Sequence, residues 1–119
     1  MKVVVYNIKP AEKEFLALAN GKTHNLTMIG NSLTEKTLEF AKGKDVVVIS
    51  KYDNLCADLL MKLYNFGIKK IITRSLSMNH IDLQVADCLN MHIVNIPLAD
   101  QTDQGIAEQT IKNISFWKK

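Results

Sequence analysis

The chain has 119 residues, 47% of them apolar and 23% charged, the length and balance of one globular domain that buries roughly 65% of its unfolded surface. Wholesale disorder is excluded, and no apolar run reaches the roughly 18 residues of a membrane span or the about 7 to 15 of a secretory core, so a cytoplasmic protein is expected. The net charge of +3 is carried by lysines spread along the chain, with Arg74 the only arginine; nucleic-acid readers cluster their basic residues and read bases with arginine, so no nucleic-acid partner is expected.

In chain order, Lys2–Tyr6 reads as the first strand, and Ala11–Ala19 as a helix with Phe15, Leu18 and Ala19 on one side. Asn25–Ile29 is the second strand. A Ser32/Thr34 start signal and Gly43 bracket a second helix over Thr34–Ala41. Asp45–Ile49 is the third strand, and the helix Leu55–Phe66 repeats Leu55, Leu59, Leu60 and Leu63 before stopping at Gly67. The fourth strand is Lys70–Thr73, followed by a helix over Ile81–Leu89 opened by a capping pair, Asn79 and Asp82. The fifth strand is His92–Ile96. The last helix, Gln104–Trp117, carries Ile106, Ala107, Ile111, Ile114 and Trp117, and Lys118-Lys119 reads as a frayed end.

Val3-Val4-Val5 and Val46-Val47-Val48-Ile49 are apolar without alternation, the pattern of strands covered on both faces. Strands alternating with helices across short connections imply right-handed βαβ units. The expected fold is α/β: a three-layer, doubly wound, five-stranded parallel sheet in the flavodoxin-like order 2-1-3-4-5, one domain over residues 1–119. Such sheets place their sites at the carboxyl ends of the strands. The candidate loops are Asn7–Pro10, Gly30–Ser32, Ser50–Asn54, Arg74–Asn79 and Pro97–Asp103.

These loops exclude several chemistries. The places where a phosphoacceptor domain carries its aspartates hold Tyr6-Asn7 and Ser50. The glycines at 21, 30, 43, 67 and 105 include no Gly-x-Gly, so neither a dinucleotide fingerprint nor a P-loop is present. There is no Gly-x-Ser-x-Gly elbow, and Ser75, Ser77, His80 and Asp82 crowd one loop without the order of a triad. Cys56 and Cys88 have no zinc or redox spacing and read as buried, reduced thiols. His24 reads as solvated, His92 as structural, and His80 as the one histidine at the site edge; no metal site is expected.

The fourth loop, Thr73 to Leu83, leaves a buried strand with an arginine and enters a helix through Asn79 and Asp82. Its backbone N–H groups suit a carboxylate, aided by the helix dipole. Arg74 is placed to clamp an anion or to pair with Asp53 or Asp100.

In its order of motifs the chain resembles the substrate-binding (catalytic) domain of D-isomer-specific 2-hydroxyacid dehydrogenases, nearest the D-lactate dehydrogenases. The resemblance rests on Val3–Tyr6, on Leu33-Thr34-Glu35-Lys36-Thr37 and on Lys42-Gly43-Lys44-Asp45-Val46-Val47-Val48. It continues through Asn65-Phe66-Gly67-Ile68-Lys69, the segment Arg74 to Leu83, and Ile93-Val94-Asn95-Ile96-Pro97 followed by Ile106-Ala107-Glu108-Gln109. It implies a flavodoxin-like fold. It also implies a loop at Ser75–Met78 that holds a substrate carboxylate through backbone amides, and a loop at Ser50–Asn54 that lines the substrate side chain. The implied substrate-binding residues are Ser50, Tyr52, Arg74, Ser75, Leu76, Ser77 and Met78. The family's loop glycine is replaced by Ser77 and its small neighbour by Leu76, where a positive φ would be strained. In the family a second domain supplies the NAD loop, an anion-binding arginine and the His–Glu acid–base pair, and none of these has a counterpart here; the linker Leu98–Gln104 is acidic, with Asp100 and Asp103. No catalytic residue and no cofactor are therefore expected in this chain, NAD belonging to the resembling family. The expectation is a stand-alone module that binds a small 2-hydroxy or 2-oxo acid or another protein without turnover by itself. The alternative is half of a split NAD-dependent enzyme completed by a separate NAD-domain protein; a fragment of a longer enzyme is a third reading. Ile111, Ile114, Phe116 and Trp117 on the last helix suggest a homodimer built near that helix.

Overall fold

Lys2–Val5 (β1), Asn25–Met28 (β2), Val46–Ile49 (β3), Lys70–Thr73 (β4) and His92–Val94 (β5) pair in parallel in the order β2-β1-β3-β4-β5. This is the sheet expected from the sequence. The structure, a computed structural model, describes residues 1–97 and 101–118. The connections are the helices Pro10–Asn20 (α1), Ala57–Asn65 (α2), Leu83–Cys88 (α3) and Asp103–Lys118 (α4), with a 3₁₀ turn at Leu38–Ala41.

Alternation along the strands sorts the core into two layers. Val3, Val5, Val46, Val48 and Ile72 face α1 and α4, where they meet Leu16, Ile111 and Ile114. Val4, Tyr6, Val47, Ile49 and Ile71 face the other side and pack on Leu59, Leu60 and Leu63 of α2 and on Ala86 of α3. Each fully buried aliphatic side chain contributes about 1.5–3 kcal/mol of transfer free energy. The register sets Val3 beside Val46, Val46 beside Lys70 and Lys70 beside His92. The carboxyl ends of β1, β3 and β4 therefore emerge level, and the ladder extends one step further: Tyr6 N–H donates to Val48 O at 2.9 Å and Arg74 N–H to Ile49 O at 2.8 Å.

Several local expectations are corrected. The second helix is only the 3₁₀ turn, because the Thr37 hydroxyl donates to Ser32 O at 2.7 Å and accepts the Thr34 N–H at 2.9 Å, a local arrangement that competes with helical bonding. α1 buries Leu16 and Asn20, while Leu18 is 73% exposed and Phe15 is exposed. Asn20 fixes this rotation by exchanging two 3.0 Å hydrogen bonds with the His24 backbone. His24 is accordingly buried rather than solvated, with Nε2 2.9 Å from Ser115 Oγ. Cys56 and Cys88 are exposed, not buried: one precedes α2 as its N-cap and the other ends α3. The expected cap at Asp82 is present, its carboxylate accepting the Val85 N–H at 3.2 Å. Among the described residues no helix is long and apolar enough to cross a membrane.

Candidate functional site

At the carboxyl edge of the sheet the chain opens into a cleft of about 470 Å³. Its walls come from the ends of β1, β3 and β4 and from the first turns of α1 and α4. Six of the seven expected site residues line it: Ser50, Tyr52, Arg74, Ser75, Leu76 and Ser77. Met78 does not line it and is half-buried. Asn7, Lys9, Lys51 and Gln101 also line the cleft and belong to the expected loops 7–10, 50–54 and 97–103, whereas Glu12 and Ile106, on the first turns of α1 and α4, lie outside them.

Asp53 organises the edge. It is 1% exposed. One carboxylate oxygen accepts the Leu33 N–H at 2.9 Å and the other the Ser50 N–H at 2.8 Å and the Ser50 hydroxyl at 3.1 Å. The Ser50 hydroxyl in turn accepts the Tyr52 N–H at 3.1 Å. A single buried carboxylate thus ties the segment after β2 to the turn after β3.

Arg74 does not pair with Asp53 as the sequence suggested, and Asp100 lies outside the described residues. Its Nη1 pairs with the Glu12 carboxylate, and its Nη2 donates to Tyr6 O at 2.8 Å and Asn7 O at 3.2 Å. Asn7 adopts φ 54°, a left-handed conformation that asparagine tolerates better than most residues, and this exposes its carbonyl to the guanidinium. The arginine side chain is 4% exposed. Burial lowers its pKa, and the charges of Glu12 and Asp53 oppose that shift. The guanidinium fastens β4 to β1 and α1. Its Nε is buried and has no hydrogen-bond partner among the described residues.

The loop after β4 is held by side chains. Asn95 Nδ2 donates to Leu76 O at 2.8 Å, Ile96 N–H donates to Ser75 O at 2.9 Å, and Ser75 Oγ donates to Ser77 O at 2.8 Å. Positive φ occurs only at Asn7 and Asn90 among the described non-glycine residues. The strain expected at Leu76 and Ser77 is therefore absent, and side chains are accommodated where a glycine was expected. The N–H groups of Leu76 and Ser77 have no acceptor among the described residues. Deeper in the same loop, Thr73 Oγ1 is 2.7 Å from Ser75 Oγ and 2.8 Å from His80 Nε2. Burial lowers the His80 pKa, and the Asp53 charge opposes this.

This geometry suits an anion. The positive ends of the α1 and α4 dipoles open on the cleft, next to unpaired backbone donors and Lys9, Lys51 and Arg74. Of the glycines, only Gly30 lies in one of the candidate loops, and no Gly-x-Gly turn of the kind that seats a pyrophosphate at a helix start occurs in the sequence. The described residues also contain no cluster able to hold a metal ion.

Residues 3–115 match the family described as D-isomer specific 2-hydroxyacid dehydrogenase, catalytic domain. The chain belongs to this family. A 2-hydroxyacid dehydrogenase homolog of Haemophilus influenzae is 30% identical over 112 residues, spanning 93% of this chain and 33% of the relative. The D-lactate dehydrogenase of Escherichia coli is 32% identical over 112 residues, again 93% of this chain and 33% of the relative. The apo-structure of D-lactate dehydrogenase from Escherichia coli superposes with a TM-score of 0.80 at 33% identity, covering 84% of this chain and 32% of the solved one. The chain thus spans about a third of the length of these 2-hydroxyacid dehydrogenase relatives, and its α/β sheet is the sheet of their matched domain.

Proposed function

We propose that this chain is the substrate-holding part of a D-2-hydroxyacid dehydrogenase. It binds the carboxylate of a small 2-hydroxy or 2-oxo acid in the cleft and does not turn it over by itself. The observation that carries this reading is the pair of cleft-lining residues Leu76 and Ser77, whose N–H groups have no acceptor among the described residues while the carbonyls around them are occupied. Hydrogen bonds from such donors to a charged acceptor are worth about 1.5–3 kcal/mol, and the dipoles of α1 and α4 add to them. Arg74 is committed to Glu12 and to two carbonyls, so its role is to hold the walls together and to supply positive potential rather than a bidentate clamp. Ser50 and Tyr52 form the wall on which the substrate side chain rests.

Hydride transfer needs a held nicotinamide and a proton donor. The residues of this chain fit neither, so the reaction requires an NAD-binding unit outside these 119 residues. A separate NAD-domain protein would make the pair a split enzyme in the cytoplasm, and a second copy of this chain is the other partner this reading includes.

Backbone amide NMR during titration with pyruvate, D-lactate and longer 2-oxo acids tests the reading, with NADH as control. Saturable shifts confined to residues 50–54 and 75–79, and none with NADH, are expected. An absence of shifts up to about 10 mM, where affinity falls below roughly 3 kcal/mol, would remove the carboxylate site.

A further inference from the structure

Two cations of the cleft lie against one aromatic ring. Lys9 Nζ lies 5.7 Å and Lys51 Nζ 5.2 Å from the centroid of the same ring, that of Tyr52. Both lysines and Tyr52 line the cleft. Neither ammonium has a carboxylate partner among the described residues, whereas Glu12, the nearby acid, is taken by Arg74.

The backbone beneath this group is fixed. Lys9 is the N-cap of α1, and its N–H donates to the Glu12 carboxylate at 3.1 Å. The Tyr52 N–H is held by Ser50 Oγ, itself bonded to buried Asp53. Tyr52 is 68% exposed, so its ring is a platform rather than a core residue. Attraction to the ring face draws both cations to it, while their mutual repulsion remains uncompensated until an anion arrives. Among the described residues the charged side chains lining the cleft are Lys9, Lys51, Arg74, Glu12 and Asp103; with Arg74 paired to Glu12, two lysines stand against the single carboxylate of Asp103. The free amides of Leu76 and Ser77 supply a separate place for a first carboxylate. A volume of about 470 Å³ lies within the usual range for drug-sized ligands and leaves room beyond a three-carbon acid.

We propose that Lys9 and Lys51, gathered on the Tyr52 ring, form a second anion subsite, so that the acid this cleft selects is a dicarboxylic 2-oxo acid or the matching D-2-hydroxy dicarboxylate. The inference rests on the carboxylate reading given above. The first carboxylate lies on the amides of Leu76 and Ser77, and the distal carboxylate lies between the two ammoniums. A monocarboxylate satisfies only the first.

The test is amide NMR titration of the 119-residue chain with pyruvate, 2-oxoglutarate and phenylpyruvate, repeated for Lys9→Met and Lys51→Met. Both lysines are exposed, so the variants fold. The expected result is 2-oxoglutarate bound at least about ten-fold more tightly than pyruvate, with shifts at residues 9, 51 and 52 that pyruvate does not produce. Each substitution lowers the 2-oxoglutarate-to-pyruvate affinity ratio about three- to ten-fold, the range of a charge-assisted contact at a partly exposed site. Equal binding of pyruvate and 2-oxoglutarate, tighter binding of phenylpyruvate, or a ratio unchanged by both substitutions overturns the subsite and leaves the carboxylate reading standing. Binding of none of the three overturns both.

Discussion

The Nε2 of His80 lies 2.8 Å from Oγ1 of Thr73, and the direction of that hydrogen bond follows from its neighbours. Ser75 Oγ gives its single proton to the carbonyl of Ser77, which can only accept. At 2.7 Å from Ser75 Oγ, Thr73 must therefore donate to it, and must accept from His80. The imidazole thus carries a proton on Nε2, heading a relay from His80 through Thr73 and Ser75 to the loop carbonyl.

This has a readout in solution. Burial lowers the His80 pKa in the folded chain, so between the folded value and the ordinary value of about 6.5 the unfolded state binds the extra proton. Stability is full above about pH 6.5 and falls as pH drops through the folded pKa. Nitrogen-15 imidazole shifts should show the Nε2–H tautomer at pH 8. The melting temperature should fall between pH 7 and pH 5 less steeply in His80→Gln, which keeps a donor near Nε2, than in the parent. The Nδ1–H tautomer would break the relay as drawn.

The buried Asp53 predicts the largest loss of stability at the site. Asp53→Ala removes the acceptor of the Leu33 and Ser50 N–H groups and of the Ser50 hydroxyl. Leaving two or three buried donors unpaired costs about 2–4 kcal/mol. Urea unfolding should show a lower midpoint at unchanged slope. A loss below about 1 kcal/mol would mean that water replaces the carboxylate.

Arg74 and Glu12 are coupled across 62 residues of chain. Because the guanidinium is buried, Glu12→Gln strands a positive charge and should destabilise by about 1–3 kcal/mol, below the roughly 3–5 kcal/mol of fully buried pairs because Glu12 keeps some exposure. Arg74→Met also loses the bonds to Tyr6 O and Asn7 O. In a double-mutant cycle the coupling energy should reach at least about 1 kcal/mol; additivity would show that Arg74 is held by the carbonyls alone.

How far the sequence discloses this architecture depends on the range of the interactions involved. Val3–Val5 and Val46–Ile49 announce covered strands through composition alone, and the sheet order follows from the alternation of elements. The cleft edge was legible as loops, because the carboxyl ends of parallel strands share one side. The roles of Asp53 and Glu12 were not: Asp53 suggested itself only as a partner of Arg74, and its bonds to Leu33 and Ser50 and the Glu12–Arg74 pair join segments that no local pattern relates. The rotation of α1 was misread because Phe15 and Leu18 are the more apolar choice, whereas the Asn20–His24 bonds impose the other face. Exposure of the cysteines has the same origin: each sits at a helix end, where periodicity no longer assigns a face.

The last helix carries the remaining prediction. Ile111 and Ile114 are buried in the sheet-facing layer and Trp117 packs against it, with Lys70 Nζ 5.9 Å from the Trp117 ring centroid. Phe116 is 72% exposed. On the adjoining α1, Leu18 is 73% exposed and Phe15 is exposed too. Apolar surface of this kind on neighbouring helices favours association, and a homodimer through α1 and α4 is the expected state. Sedimentation at high micromolar concentration should report a dimer. Phe116→Glu should shift it toward monomer while changing stability at infinite dilution by less than about 0.5 kcal/mol, as for exposed substitutions generally. A monodisperse monomer of the parent chain at that concentration would exclude pairing through this helix face.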